Sequence, residues 1–269
     1  MAKCKTENSL LFNPVLTIAQ TLPAIMKKIF LIILIGISLT VYSQKGKANN
    51  RLFVINISGT QIMSLPNTNS TRLIELKVGD EIIVIEKRFP VFSKFYKNER
   101  MTLKDYWIKT KYNGFTGFVF NGDLTKIKPA LTEVENNYGN KENFFCASIL
   151  GKKLSFEEKK RIVKYGDKEF TIIDEITNYE NGKLINYNFD GCYNSKYIFN
   201  KLTFNEVYQQ MKNNNFIYGF DGNSFMIEYP MFKEKKEDKY IFYDLGLTDQ
   251  VEIIKINNTE IQLETGGCN

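Results

Sequence analysis

The 269-residue sequence contains no histidine. That one absence removes Ser-His-Asp and Cys-His hydrolases, zinc sites with imidazole ligands and histidine pH switches. Tryptophan occurs once, proline six times and cysteine four times. What remains is a globular composition, 43% hydrophobic, 14% aromatic and 25% charged, which excludes a disordered or collagen-like polymer and suits one or two domains. Basic residues exceed acidic ones by +6. Four of the lysines and one glutamate precede residue 44, so the rest of the chain is closer to neutral and its partner need not be strongly acidic.

A long hydrophobic run is also missing. Met26-Lys27-Lys28 lead into IFLIILIGISLTV at 29–41, followed by Tyr42-Ser43-Gln44. A basic start, a short apolar core and small residues at Val41 and Ser43 form the pattern of a secretory signal, with cleavage expected before Gln44. The run falls short of the roughly 20 apolar residues that cross a bilayer, so no stable transmembrane anchor is expected. No cysteine follows it, which leaves a lipoprotein anchor unsupported. Residues 1–25, interrupted by Asn13, Pro14, Gln20 and Pro23, read as an upstream extension of a chain starting at Met26. The expected location is the periplasm, the cell envelope or the exterior. Cys146, Cys192 and Cys268 lie beyond this segment. An oxidising compartment permits one disulfide among them, with three pairings open and one thiol left over. With no CxxC pair and no histidine, neither a metal nor another cofactor is expected.

Between 51 and 128 the chain reads as a small antiparallel barrel. Residues 52–57 read as a strand, 73–78 lead through a Gly79-Asp80 turn into the β-branched run at 81–85, and Asn113-Gly114 joins two alternating segments around Trp107 and Phe118. Asn-Gly in that setting is a strong hairpin signal, because both residues tolerate positive φ. Pro66-Asn67-Thr68-Asn69-Ser70, Leu76-Lys77-Val78-Gly79-Asp80, Trp107-Ile108-Lys109 and Asn113-Gly114-Phe115-Thr116-Gly117-Phe118-Val119 succeed one another in the order and spacing of the bacterial SH3-like domain, which residues 51–128 therefore resemble. The resemblance implies a binding module of the cell envelope, of the kind that accompanies cell-wall peptidases and amidases. The sequence departs from that family at Met63 and Leu65, where arginine and glycine are usual, and at Phe118, where tryptophan is usual.

It also carries an insertion at 87–104, in which six basic residues face Glu99 alone and are interleaved with Phe89, Phe92, Phe95 and Tyr96. Either this is a twisted hairpin whose aromatic rings cover one end of the barrel, or its rings stack on a ligand while its cations pair with carboxylate or phosphate. The second reading makes Arg88, Phe92, Lys94, Phe95, Tyr96, Lys97, Arg100 and Trp107 the candidate ligand contacts. Export and modest net charge disfavour nucleic acid.

Residues 129–141 read as a polar linker, and 142–269 as a second, β-rich α+β domain of no recognised family with one or two short helices. The fold class is thus mainly β. Ser155 and Thr203 each precede a glutamate by three residues, the capping-box spacing, which predicts helices over 156–164 and 204–213. Strands are expected at 170–176, 183–189, 216–220, 224–229, 239–243, 251–256 and 260–264, the last two joined at Asn257-Asn258. The run at 233–239 reads as a solvated loop. Phe189-Asp190-Gly191 and Phe220-Asp221-Gly222 echo each other but fit hairpin turns equally well. A carboxylate-only glycan hydrolase survives the missing histidine, with Asp174 and Glu175 the nearest thing to a pair, though adjacent strand positions point to opposite faces. The expectation is a non-catalytic exported protein whose SH3-like part binds peptidoglycan peptide or glycan, or an envelope protein. The alternatives are the glycan hydrolase and a protein-binding scaffold or inhibitor.

Overall fold

The computed structural model describes residues 50–86, 90–135, 141–215, 217–220, 225–243 and 250–268. The signal-like segment and the proposed start at Met26 lie outside them, as do Arg88 and most of the second Phe-Asp-Gly motif. Among the described residues no helix is long and apolar enough to cross a membrane.

The architecture is mainly β, in several antiparallel sheets with one α-helix among the described residues. The first sheet is built from β1 (Arg51–Val54), β2 (Thr60–Met63), β3 (Arg72–Leu76), β4 (Glu81–Glu86), β6 (Met101–Tyr112), β7 (Phe115–Phe120) and β8 (Leu124–Thr125). They run in the order β3-β2-β7-β6-β4-β1-β8, and β5 (Val91–Tyr96) pairs the first half of β6. Alternation writes the core directly: Ile82 and Val84 point inward while Ile83 and Ile85 face solvent, and the inner set meets Leu52, Val54, Ile62, Ile108 and Val119. Asn113 and Gly114 both take positive φ, 45° and 86°, as their hairpin turn requires. Gly79 sits at φ 85° and donates its N–H to Val54 O at 2.8 Å. The Leu-Lys-x-Gly-Asp step is therefore a structural turn, closed by Lys77 N donating to Asp80 Oδ2 at 2.8 Å.

The expected linker holds a strand. β9 (Ala130–Glu135) pairs with β10 (Lys141–Ser148). Next come β11 (Lys153–Tyr165), β12 (Lys168–Tyr179), β13 (Gly182–Phe189), β14 (Cys192–Asn200), α1 (Phe204–Asn214), β15 (Ile217–Phe220), β16 (Phe225–Glu228), β17 (Met231–Lys236), β18 (Lys239–Tyr243), β19 (Gln250–Lys255) and β20 (Glu260–Cys268). Eight of these form a second sheet in the order β11-β12-β13-β14-β20-β19-β18-β17, with β15 and β16 as a separate pair. Residues 233–239, expected as a loop, instead form most of the β17–β18 hairpin.

The helix expected over 156–164 is a strand. A helix there would carry apolar residues only at Phe156, Ile162 and Val163, too widely spaced to make a stripe that packing could bury. The β-branched Thr171-Ile172-Ile173 of β12 offers a matching ladder from Tyr165 back to Ser155. The Ser155 hydroxyl accepts from Asn178 instead of capping a helix. Cys192 is disulfide-bonded and stands opposite Cys268 in the β14–β20 register. Cys146 is a buried thiol whose Sγ donates to Asn213 O.

A single hydrophobic cluster joins the two sheets through α1. It runs from Met63, Trp107 and Phe120 through Val207, Tyr208 and Met211 to Phe199, Phe242 and Leu263. The described residues from Arg51 onward form one compact unit.

Candidate functional site

A cleft of about 830 Å³ opens beside the β1–β2 turn of the first sheet. Trp107, Phe120 and Tyr96 form its aromatic wall, and Leu131 and Phe145 from β9 and β10 add apolar surface. Glu75, Lys77 and Asp80 supply charges of both signs from the end of β3 and the turn after it. Lys77 is exposed and makes no ion pair among the described residues. Trp107 is only 3% exposed, and its indole N–H has no hydrogen-bond partner among the described residues. A buried, unsatisfied donor costs about 1–3 kcal/mol.

Behind the cleft lies a charged network centred on Asp123, in the 3₁₀ turn Asn121–Asp123 after β7. Its carboxylate is fully buried and accepts from Thr60 Oγ1 at 2.7 Å, Lys94 Nζ at 2.6 Å, Asn56 Nδ2 at 3.0 Å and the Tyr96 hydroxyl. Burial pushes the Asp123 carboxyl up, but the Lys94 ammonium and the donated hydrogen bonds outweigh it and hold the group below the usual carboxylate range. Burial and the neighbouring Asp123 charge push the Tyr96 phenol well up, so it stays protonated and donates.

A second buried pair lies deeper. Lys212 on α1 meets Glu99, from the β5–β6 turn, at 2.6 Å and sits over the rings of Tyr96 and Tyr229. Desolvation lowers the Lys212 pKa while Glu99 opposes it, with lowering the net result. Burial pushes the Tyr229 phenol up to about 12, and its hydroxyl is 2.9 Å from that of Ser58 in the cleft lining.

Helix α1 ties this assembly together. Every residue from Val207 to Asn213 is buried, including four polar ones. Three of the four bond to strand and turn backbone. Gln209 donates to Gly122 O, Gln210 accepts from Ile149 N and donates to Ala147 O, and Asn213 accepts from Ala147 N and donates to Ile55 O. Backbone groups from the first sheet's margins and from β10 are thus satisfied by one helix.

The candidate contacts read from the sequence divide into three groups. Phe92 and Trp107 pack together, ring centroids 5.7 Å apart, against Phe120. Lys94 and Tyr96 turn inward onto Asp123. Only Phe95, Lys97 and Arg100 of the described set remain in solvent, because β5 alternates Phe92, Lys94 and Tyr96 inward with Val91, Ser93 and Phe95 outward. The described part of the insertion is an antiparallel hairpin that contributes Lys94 and Tyr96 to the cleft lining. Asp123, Thr60, Lys212 and Glu99 escaped sequence reasoning, because their partners lie far away in the chain. Asp174 is held by Arg161 at 2.8 Å on the second sheet, and neither it nor Glu175 lines the cleft. No group of metal-ligating side chains occurs among the described residues.

Comparison with the known protein families, with curated proteins and with solved structures found no match for this chain.

Proposed function

We propose that this chain is a non-catalytic binding protein of the cell envelope that takes a short zwitterionic peptide of the cell wall into the Trp107 cleft. The observation that carries the reading is the cleft itself. Its volume is within the range that holds a small ligand, its wall is aromatic, and its mouth offers an unpaired ammonium at Lys77 beside the carboxylates of Glu75 and Asp80. An apolar peptide side chain fits the wall, and a terminal carboxylate fits Lys77. The signal-like segment and the SH3-like order of motifs support the envelope as the setting.

Binding is favoured over catalysis on chemical grounds. Thr60 is the one hydroxyl in the cleft lining bonded to a carboxylate, apart from the phenol of Tyr96. That carboxylate is held below its ordinary pKa and accepts from five donors, Gln209 Nε2 being the fifth, so it is a weak base for activating a nucleophile.

The test is retention on purified peptidoglycan. The protein is expected to be retained, and Lys77→Glu to weaken retention about fivefold, the value of an exposed ion pair. Lys97→Glu with Arg100→Glu is expected to leave it intact, since both residues sit at the tip of the β5–β6 hairpin away from the cleft. Release by the hairpin variant but not by Lys77→Glu would transfer binding to the basic hairpin. Absence of retention in low salt would remove the ligand class.

A further inference from the structure

β11 is the outermost strand of the second sheet, with no neighbour beyond it among the described residues. It is 13 residues long and almost wholly exposed. An edge of that length is a template for another strand unless charge, proline or a covering element protects it, and here neither proline nor cover is present among the described residues. The far end of the hairpin meets β13 through side chains, Phe170 against Phe189 and Arg161 over Tyr187, and not through strand pairing. β13 pairs β12 only from Glu175 to Tyr179, so β11 and β12 continue outward as a ribbon of two strands, a form marginally stable in water. Along one face of β11 stand Phe156 and Ile162, exposed by 50% and 67%.

The charges of β11 are arranged as their own complement. We infer that β11 is a self-pairing edge, and that two copies of this chain join antiparallel about Lys159 into one continuous sheet. In that register Phe156 lies opposite Ile162 of the second copy, Glu158 opposite Lys160 and Glu157 opposite Arg161, each pair occurring twice. Shifting the centre by one residue either way spoils the match. Centring on Glu158 sets that carboxylate against itself and Phe156 against Lys160, whereas centring on Lys160 sets Lys160 against itself and Lys159 against Arg161. The like charges on the axis in the chosen register, the two Lys159 side chains, are each already paired with Glu157 of their own chain at 3.2 Å.

Within one chain, Glu157, Lys159, Arg161 and Lys164 all have ion-pair partners, while Glu158 and Lys160 have none among the described residues. Glu158 also lies directly across from Glu175 on β12, an unfavourable cross-strand pair of like charge. The second copy's Lys160 would stand on the other side of Glu158 and offset that repulsion. An extended strand from an unrelated protein, or an anionic lipid surface, has no reason to match this alternation of signs.

The experiment is sedimentation equilibrium of the purified protein with a charge exchange at the two unpaired positions. Wild type is expected at twice the monomer mass. Glu158→Lys and Lys160→Glu, each at an exposed site, are expected to weaken association about tenfold by turning two attractive pairs into repulsive ones. The double variant carrying both changes is expected to restore the dimer, with far-ultraviolet circular dichroism unchanged in all three. A monomeric wild type overturns the inference, as does a dimer indifferent to the single changes or a double variant that fails to recover. Wild-type monomer that binds anionic vesicles or another protein through β11 overturns it in favour of that occupant.

Discussion

Asp123 shows how a single buried charge sets the geometry of the cleft. Its carboxylate joins strands β2 and β5 and the turn after β7 through Thr60, Lys94 and Tyr96, and the same Lys94 and Tyr96 line the cleft. Removing one member of a buried pair strands the other charge, so Asp123→Asn is expected to cost about 3–5 kcal/mol at neutral pH, read from urea unfolding. The pH dependence comes from the depressed pKa. Stability from Asp123 is present above the unfolded carboxyl value of about 3.9 and is lost as pH falls through the lower folded value. The wild-type unfolding midpoint is therefore expected to fall as pH drops below about 4, and that part of the fall to vanish in Asp123→Asn. None of this was legible in the sequence. Asn121-Gly122-Asp123 reads as a surface turn and Lys94 as one cation of a basic stretch. The residues that bury them arrive from 29 and 86 positions away.

At the scale of elements, Thr203 and Ser155 show what a capping pattern does and does not determine. Both precede glutamate by three residues, yet only Thr203 caps a helix, with its hydroxyl accepting from Glu206 N and Glu206 reaching back to the Thr203 N–H. The difference lies in the residues downstream of each cap. Phe204, Val207, Tyr208 and Met211 recur at helical spacing and meet the common core, whereas 156–164 has no such stripe and takes the ladder of β12. Thr203→Ala is expected to destabilise by about 1 kcal/mol in urea unfolding. Gln210→Ala is expected to cost more, about 1–3 kcal/mol for each backbone group it leaves buried and unpaired, because Gln210 serves both Ile149 N and Ala147 O. The β4, β6–β7, β18 and β19–β20 segments were legible because alternation and Asn-Gly or Asn-Asn turns are local signals. β9, β14 and β17 were not: each pairs with a strand next to it in the chain, but polar and charged residues, such as Lys233 to Lys236 of β17, interrupt the apolar alternation that marks a strand.

For the whole molecule, the sequence suggests two modules and a linker, and the described residues show a cluster inside the first sheet, around Val54, Ile82 and Ile108, beside a second cluster shared by both sheets through α1. The first sheet contributes Met63, Tyr96, Trp107 and Phe120 to that core, and the second contributes Phe199, Phe242, Val251 and Leu263. Covering one set with the other removes it from water, so the two sheets are expected to unfold together. Thermal melts followed by tryptophan emission, which reports the first sheet, and by far-ultraviolet circular dichroism, which reports both, are expected to coincide. Two separated transitions would show independent modules. Trp107 is the sole tryptophan and stands in the cleft wall, so its emission is also a site-specific reporter. The most direct test of the binding role is therefore a titration of the folded protein with soluble cell-wall peptide fragments. A saturable change in Trp107 emission that weakens in Lys77→Glu is the predicted result, and emission unaffected across the solubility range of the fragments would contradict it.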